Sequence, residues 1–284
     1  MEYRISREDL PNSLLANTMK ALYVAYSEIG ADVYVVGATA RDIGLMLLNV
    51  GRAPRRTLDL DVAVLLTQWK EYDHLKEILI QNGFKKAREK QKFHYNPEDS
   101  NLVYEVDIVP FGEIAQNDEI AWPPEGDPVI SVKCFSDVMG RADTVFVDDD
   151  FHFKIAPLSG QWLIKLETWY DRHLRTGKDA ADMVFLLENA YISFLQVSDT
   201  LPDEVSIEAE TFDLTVAGAE WIASDIAKML SDQNRRIYAD LLLKEVSAGV
   251  ESALLNDLFD RATHSSFDSL RLALARMGEI ISRR

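Results

Sequence analysis

The chain has 284 residues, 47% of them apolar, with 13 Gly and 9 Pro. That composition excludes collagen-like, low-complexity and wholly disordered chains, and the length suits one large or two ordinary domains. A formal net charge of −17 speaks against a broad basic footprint on nucleic acid, because neutralising phosphates takes a clustered excess of Lys and Arg.

In chain order, Met1 to Asp9 alternates charges and lacks the basic start and apolar stretch of a secretory signal. No apolar run approaches the roughly 18 residues of a membrane span. The single cysteine, Cys134, has no partner for a disulfide or a metal pair, which fits a reducing compartment. A cytoplasmic chain without membrane contact is expected.

From Asn12 to Glu28, Leu15, Met19, Leu22 and Tyr26 recur at helical spacing before Gly30. Val33 to Val36 reads as a short strand and Ala38 to Leu48 as a helix, so Gly37 falls at the turn between them. Leu58 to Leu66 reads as a buried strand, Gln68 to Asn82 as a helix closed by Gly83, and Leu102 to Val109 as a third strand. The stretches before Leu102 and from Phe111 to Asp150 are rich in Pro, Gly and Asp and read as loops and edge strands. After Ile155-Ala156-Pro157 strand signals almost vanish. Helices are expected over Ser159 to Arg172, Lys178 to Ala190, Thr215 to Ser231, Gln233 to Val246, Val250 to Ala262 and Ser266 to Ser282, with Gln196 to Glu210 a linker or mobile loop. The expected architecture is an α/β domain with a mixed sheet over residues 1–157, followed by an α-helical domain over 158–284.

The chemistry concentrates in three places. Thr57-Leu58-Asp59-Leu60-Asp61-Val62 places two aspartates at i and i+2 in an apolar strand, so both carboxylates project from one face. Like charges that close together raise each other's pKa unless a cation or strong donors neutralise them. Val106-Asp107-Ile108 embeds a third acid in another strand, with Glu105 on the same face as an alternative third ligand. Three carboxylates suit hard-oxygen coordination of Mg²⁺ and, through it, phosphoryl chemistry. Upstream, Gly37-Ala38-Thr39-Ala40-Arg41 opens a helix whose backbone N–H groups could cradle phosphate oxygens.

The glycine turn, the paired aspartates some twenty residues later and the third acid some fifty beyond them, in that order, make the chain resemble the DNA polymerase β-like nucleotidyltransferases, and within them the AbiEii-type toxin-related branch. The resemblance also rests on Leu163 to Arg172 and on Lys178 to Met183, and covers roughly Val33 to Tyr191. It implies a nucleotidyltransferase fold, two Mg²⁺ ions (with Mn²⁺ as a substitute) on Asp59, Asp61 and Asp107, and a nucleoside triphosphate donor. It further implies an acceptor that is RNA, such as a tRNA end, a protein or a small molecule, and a cognate antitoxin protein. The family usually carries Gly-Ser or Gly-Gly in the turn, whereas Ala38 follows Gly37 here, leaving Thr39 to supply a hydroxyl.

Lys165 lies on the stripe of Leu158, Trp162, Leu166 and Trp169. It is either a snorkelling lysine or, as the resemblance implies, a cation for the donor phosphates. Asp182, with Asp179, is either a helix-terminus acid or part of the assembled site. Arg41, Arg55 and Arg56 could reach phosphates, although Arg41 could equally pair with an acid. His94, His152 and His173 lack ligand spacing, and Trp122-Pro123-Pro124 reads as a loop anchor. Lys85, Lys86, Arg88, Lys90 and Lys92, and Arg172, Arg175 and Lys178, are read as solvated faces or small basic patches. The competing functional reading is a nucleotide-binding regulatory module with weakened catalysis, and a third is a helical partner protein with an inert N-terminal scaffold.

Overall fold

The computed structural model describes residues 1–48, 59–97, 102–207 and 212–283. Its first part runs β1 (Glu2–Ile5), α1 (Ser13–Glu28), β2 (Tyr34–Val36), α2 (Gly37–Leu47), β3 (Asp59–Leu65), α3 (Trp69–Gln81), β4 (Phe84–Lys86), β5 (Lys92–Tyr95) and β6 (Tyr104–Phe111). It continues with β7 (Glu119–Ala121), β8 (Val129–Ser131), α4 (Phe135–Met139), β9 (Asp143–Val147) and β10 (Phe151–Ile155). The rest is helical among the described residues: α5 (Leu158–Arg172), α6 (Lys178–Leu195), α7 (Leu214–Met229), α8 (Asp232–Ala248), α9 (Ala253–Phe259) and α10 (Phe267–Ser282). A mixed α/β part followed by a helical part is the class the sequence indicated. The described residues within Met1–Leu47 and Gly51–Pro157 form one compact unit; those of Leu158–Arg284, with Leu48, form the other.

In the first unit, eight strands form one sheet in the order β1-β9-β10-β2-β3-β6-β5-β4. It is mixed: β10 pairs β2 and β3 pairs β6 in parallel, whereas β2 pairs β3 and β5 pairs β6 antiparallel. Leu60, Val62, Val106 and Ile108 are fully buried on one face of β3 and β6. Each such side chain stabilises by about 1.5–3 kcal/mol, and a slip of one residue would turn all four toward the opposite face, so the apolar side fixes the register of the polar side. Helix α1 packs against β6 and β10, and α3 against α1. Asn12 starts α1 by accepting from the Leu15 N–H, and Gly30 takes up φ +68° just beyond its end.

Several short elements escape the sequence pattern. β1 alternates charged with apolar residues over only four positions, and its pairing with β9 depends on a segment about 140 residues away. The hairpin of β4 and β5 occupies part of the stretch read as loops and edge strands. In the second unit, α6 continues five residues past Ala190 to Leu195. The helix expected from Val250 instead begins as a 3₁₀ turn at Gly249–Glu251 and restarts at α9, where Ser252 Oγ accepts from the Leu255 N–H.

The expected linker from Gln196 has no helix or strand over its described residues, and its second half is tied to α7. Val205 is buried with Ala217 and Trp221, the Ser206 N–H donates to Glu220 at 2.8 Å, and Ser224 Oγ donates to Glu204 at 2.9 Å. One apolar anchor and two carboxylate contacts hold it, features that composition alone does not reveal.

Helices α6 and α7 approach closely at Gly218, where an added Cβ would lie 2.5 Å from the Leu187 carbonyl oxygen. In an open helix Gly→Ala stabilises by about 1 kcal/mol through propensity. Here the clash with backbone reverses the sign, and Gly218→Ala is expected to lower the thermal midpoint; an unchanged or raised midpoint would contradict this packing.

Candidate functional site

The parallel register of β3 and β6 places Asp59 beside Glu105 and Asp61 beside Asp107. Paired residues in adjacent strands share a face, so four carboxylates occupy one patch of the sheet. Asp59 begins β3 and is exposed, whereas Asp61, Glu105 and Asp107 are half-buried. On the other side of β3, Val36 pairs with Asp61, which brings the following Gly37 to that aspartate.

Gly37 adopts φ +68°, and a Cβ built there would lie 2.2 Å from Asp61 Oδ2. Two independent constraints therefore demand glycine: a left-handed backbone and a carboxylate in the space a methyl group would fill. As the first residue of α2, Gly37 also begins the turn whose N–H groups lack intrahelical partners.

Lys92 is the member of the site that sequence reading missed. The β5–β6 register sets it opposite Asp107, and its Nζ lies 2.6 Å from Glu105 Oε2 and 3.4 Å from Asp107 Oδ2. Read as a basic run, Lys90 and Lys92 looked solvated; only the hairpin turns Lys92 onto the acids. Its hydrogen bond holds the Glu105 carboxyl below the ordinary range, and that same bond raises the Lys92 ammonium well above its own. Asp107 moves upward because burial outweighs Lys92, with Asp59 and Glu105 adding to the rise. Asp107 Oδ1 is buried without a hydrogen-bond partner.

Among the described residues no three His, Cys, Asp or Glu side chains are grouped closely enough to hold a metal ion by themselves. Asp59 is two residues, roughly 6.5 Å, from Asp61 along the strand, and Asp107 is one strand across at roughly 4.8 Å. Lys92 moreover holds one oxygen of Asp107. The row nonetheless offers hard oxygen donors, including the orphaned Oδ1. Magnesium is commonly held by one or two carboxylates together with substrate phosphates, and that mode of binding fits these residues.

Other expected contacts resolve differently. Thr39 is buried and its Oγ1 donates to the Asp59 carbonyl at 3.3 Å, so its hydroxyl ties α2 to β3. Arg41 is only 6% exposed and its guanidinium donates to Asp42 Oδ1 at 2.7 and 3.0 Å, a bond within the fold. Ala38 is half-buried in the first turn of α2. Arg55 and Arg56 lie outside the described residues. His94 and His152 each stand 3.9 Å from one carboxylate, Glu105 and Asp32, and His173 stacks on Trp169 at 4.2 Å.

Lys165 and Asp182 belong to the helical unit. Lys165 Nζ lies 3.1 Å from Asp179 and 2.9 Å from Asp182, while Arg172 donates to Asp179 at 2.7 and 2.9 Å. The Asp179 side chain is fully buried. Burial pushes its carboxyl up, but the Arg172 bonds and the Lys165 charge outweigh that and hold it below the ordinary range. The anion that satisfies Lys165 on its apolar stripe is thus carried by the neighbouring helix.

No protein-family model and no curated protein matches the chain. Among solved structures it is similar to an antigenic nucleotidyltransferase-like protein from Paracoccidioides brasiliensis, at 16% identity and a TM-score of 0.43, over 78% of this chain and 94% of that one. It is also similar to a CCA-adding enzyme solved with ATP, at 13% identity and a TM-score of 0.31, over 95% and 80%. A Thermotoga maritima CCA-adding enzyme complexed with tRNA is similar at 12% identity and a TM-score of 0.29, over 95% and 82%. Likenesses this distant carry no weight for the chemistry, which rests on the side chains.

A carboxyl whose folded pKa is raised holds its proton more tightly folded than unfolded, so stability falls as pH climbs from the unfolded value, about 3.9, through the folded one. Asp107→Asn should therefore raise the melting temperature at about pH 7, with the gain shrinking below about pH 4. A variant less stable than wild type at neutral pH would refute the assigned strain.

Lys165→Met should act in the opposite direction and lower stability by roughly 3 kcal/mol, as expected when a buried pair loses one partner. Chemical denaturation measures this, and a neutral or stabilised variant would show that Arg172 alone satisfies Asp179.

Proposed function

We propose that the chain is a metal-dependent nucleotidyltransferase, which moves a nucleoside monophosphate from a nucleoside triphosphate to an acceptor hydroxyl. The observation that carries this reading is Asp61 in register with Asp107 on one sheet face, with Gly37 packed against Asp61. A fold that crowds carboxylates this closely and leaves Asp107 Oδ1 without a donor has an evident use for a divalent cation. Asp59, Asp61 and Asp107 would hold Mg²⁺, two ions in the full assembly, or Mn²⁺ in its place. The metal would supply acidification of the acceptor hydroxyl and charge stabilisation on the leaving pyrophosphate.

The chain's own groups have distinct parts. Backbone N–H groups in the first turn of α2, beginning at Gly37, bind phosphate oxygens of the donor. Asp107, with its pKa raised by burial, accepts the acceptor's proton more readily than an ordinary carboxylate would. Lys92 orients Asp107 and Glu105 and limits the repulsion between them. The acceptor oxygen then bonds to the α-phosphorus as the α–β bridge breaks and pyrophosphate departs. A phosphate that met Lys165 would compete with Asp179 and Asp182 for its ammonium.

The acceptor is a hydroxyl of a tRNA end, a protein or a small molecule. The motif order supports the AbiEii-type branch, and on that reading the enzyme is a toxin restrained by a cognate antitoxin protein. A second reading, a nucleotide-binding regulatory module with weakened catalysis, is favoured by the turn itself: Ala38 has no hydroxyl and that of Thr39 is engaged by the Asp59 carbonyl.

The deciding experiment incubates the protein with each α-labelled nucleoside triphosphate, Mg²⁺ and total cell extract. A labelled band or small molecule is expected, reduced at least a hundredfold, about 3 kcal/mol, in Asp59→Asn and Asp61→Asn. Labelling that survives both substitutions overturns the transferase reading. Metal-dependent triphosphate binding without labelling or pyrophosphate release selects the regulatory module.

A further inference from the structure

At the β4 edge of the sheet, the start of α3, the β4–β5 connection and the Trp122–Pro124 turn enclose a cavity of about 460 Å³. Its charge runs against that of the chain. The whole sequence has 47 acidic residues against 30 Lys and Arg, yet the lining carries five cations and only two acids, Asp73 and Glu89. Three of the cations have carboxylate partners: Lys76 with Asp73 at 2.5 Å, Lys90 with Glu125 at 2.6 Å, and Lys92 with Glu105. The remaining two, Lys86 and Arg88, are exposed and make no ion pair or side-chain hydrogen bond among the described residues.

The same lining carries aromatic rings. Trp69 meets Tyr72 edge-on at 5.7 Å and Trp122 at 5.8 Å, and those two rings are buried. Trp69 itself is half-buried and is the ring of this cluster with surface to offer. A flat aromatic group has one place to pack, and an anion has two cations without carboxylate partners in the same lining, one of them a guanidinium suited to bidentate binding of phosphate. The volume lies within the range of small-ligand sites.

We propose that this cavity is a binding site for a phosphorylated nucleoside, with the base against Trp69 and the phosphate on Lys86 and Arg88. It adjoins the carboxylate row, with which it shares Lys92, but its proposed contacts, Trp69, Lys86 and Arg88, are outside that row, and it does not depend on the transferase reading. It also gives Trp122 a part beyond anchoring a loop, since that ring buttresses Trp69.

Isothermal calorimetry with AMP in EDTA tests it, because chelation silences any metal-dependent binding at the carboxylates. Saturable binding is expected for the wild type. It should weaken at least tenfold in the double variant Lys86→Ala/Arg88→Ala and in Trp69→Ala, and persist in Asp61→Asn. Lys86 and Arg88 are exposed, so the double variant should melt as the wild type does. Absence of saturable binding at millimolar AMP overturns the proposal, as does undiminished affinity in the double variant. Loss in Asp61→Asn alone would move the binding to the carboxylate row. Inorganic phosphate binding as tightly as AMP would remove the nucleoside from the assignment.

Discussion

Two carboxylates, Asp61 and Asp107, stand side by side because the strands that carry them are locked together from behind. Leu60, Val62, Val106 and Ile108 bury fully on the reverse face, and their summed apolar gain exceeds what electrostatic repulsion on the front can cost in a partly solvated setting. The carboxylates cannot relax by slipping, because a slip would expose the apolar set. Whatever relieves them must come from a third party. For Asp107 one such party among the described residues is Lys92, which reaches Glu105 more closely than Asp107 and leaves one Asp107 oxygen without a donor.

Gly37 belongs to the same constraint. Its missing side chain is what lets Asp61 sit against the start of α2, so the helix end and the carboxylate row form one local structure. Thr39 joins the two again through the Asp59 carbonyl. The start of α2 and the acids of β3 and β6 thus meet at one corner of the sheet.

Much of the fold could be read from periodicity. The apolar spacing of Leu15, Met19, Leu22 and Tyr26 marks α1, and the two acids in an apolar strand mark β3, because both signals are local. What was not legible is what depends on partners far along the chain. β1 is four residues of alternating character whose strand nature comes from β9. The contribution of Lys92 depends on a hairpin whose turn chemistry is unremarkable in sequence, and the same basic residues read equally well as a solvated run. Lys165 was legible as anomalous on its stripe, but the identity of the anion beside it required the α5–α6 packing. The segment before α7 looked loose because Glu204, Val205 and Ser206 carry no periodic signal of their own.

The order of strands carries a consequence for biosynthesis. The strands bearing the acids, β3 and β6, and their neighbour β2 are complete once residue 111 has been made, yet the free edge of β2 is taken up by β10, at Lys154 and Ile155. Until some forty further residues emerge, that edge shows unpaired backbone groups beside an apolar strand, a template for pairing with another nascent chain. At about 5–20 residues per second the exposure lasts a few seconds. Closure then joins segments about 120 residues apart, which places this sheet among topologies with slow, non-local assembly.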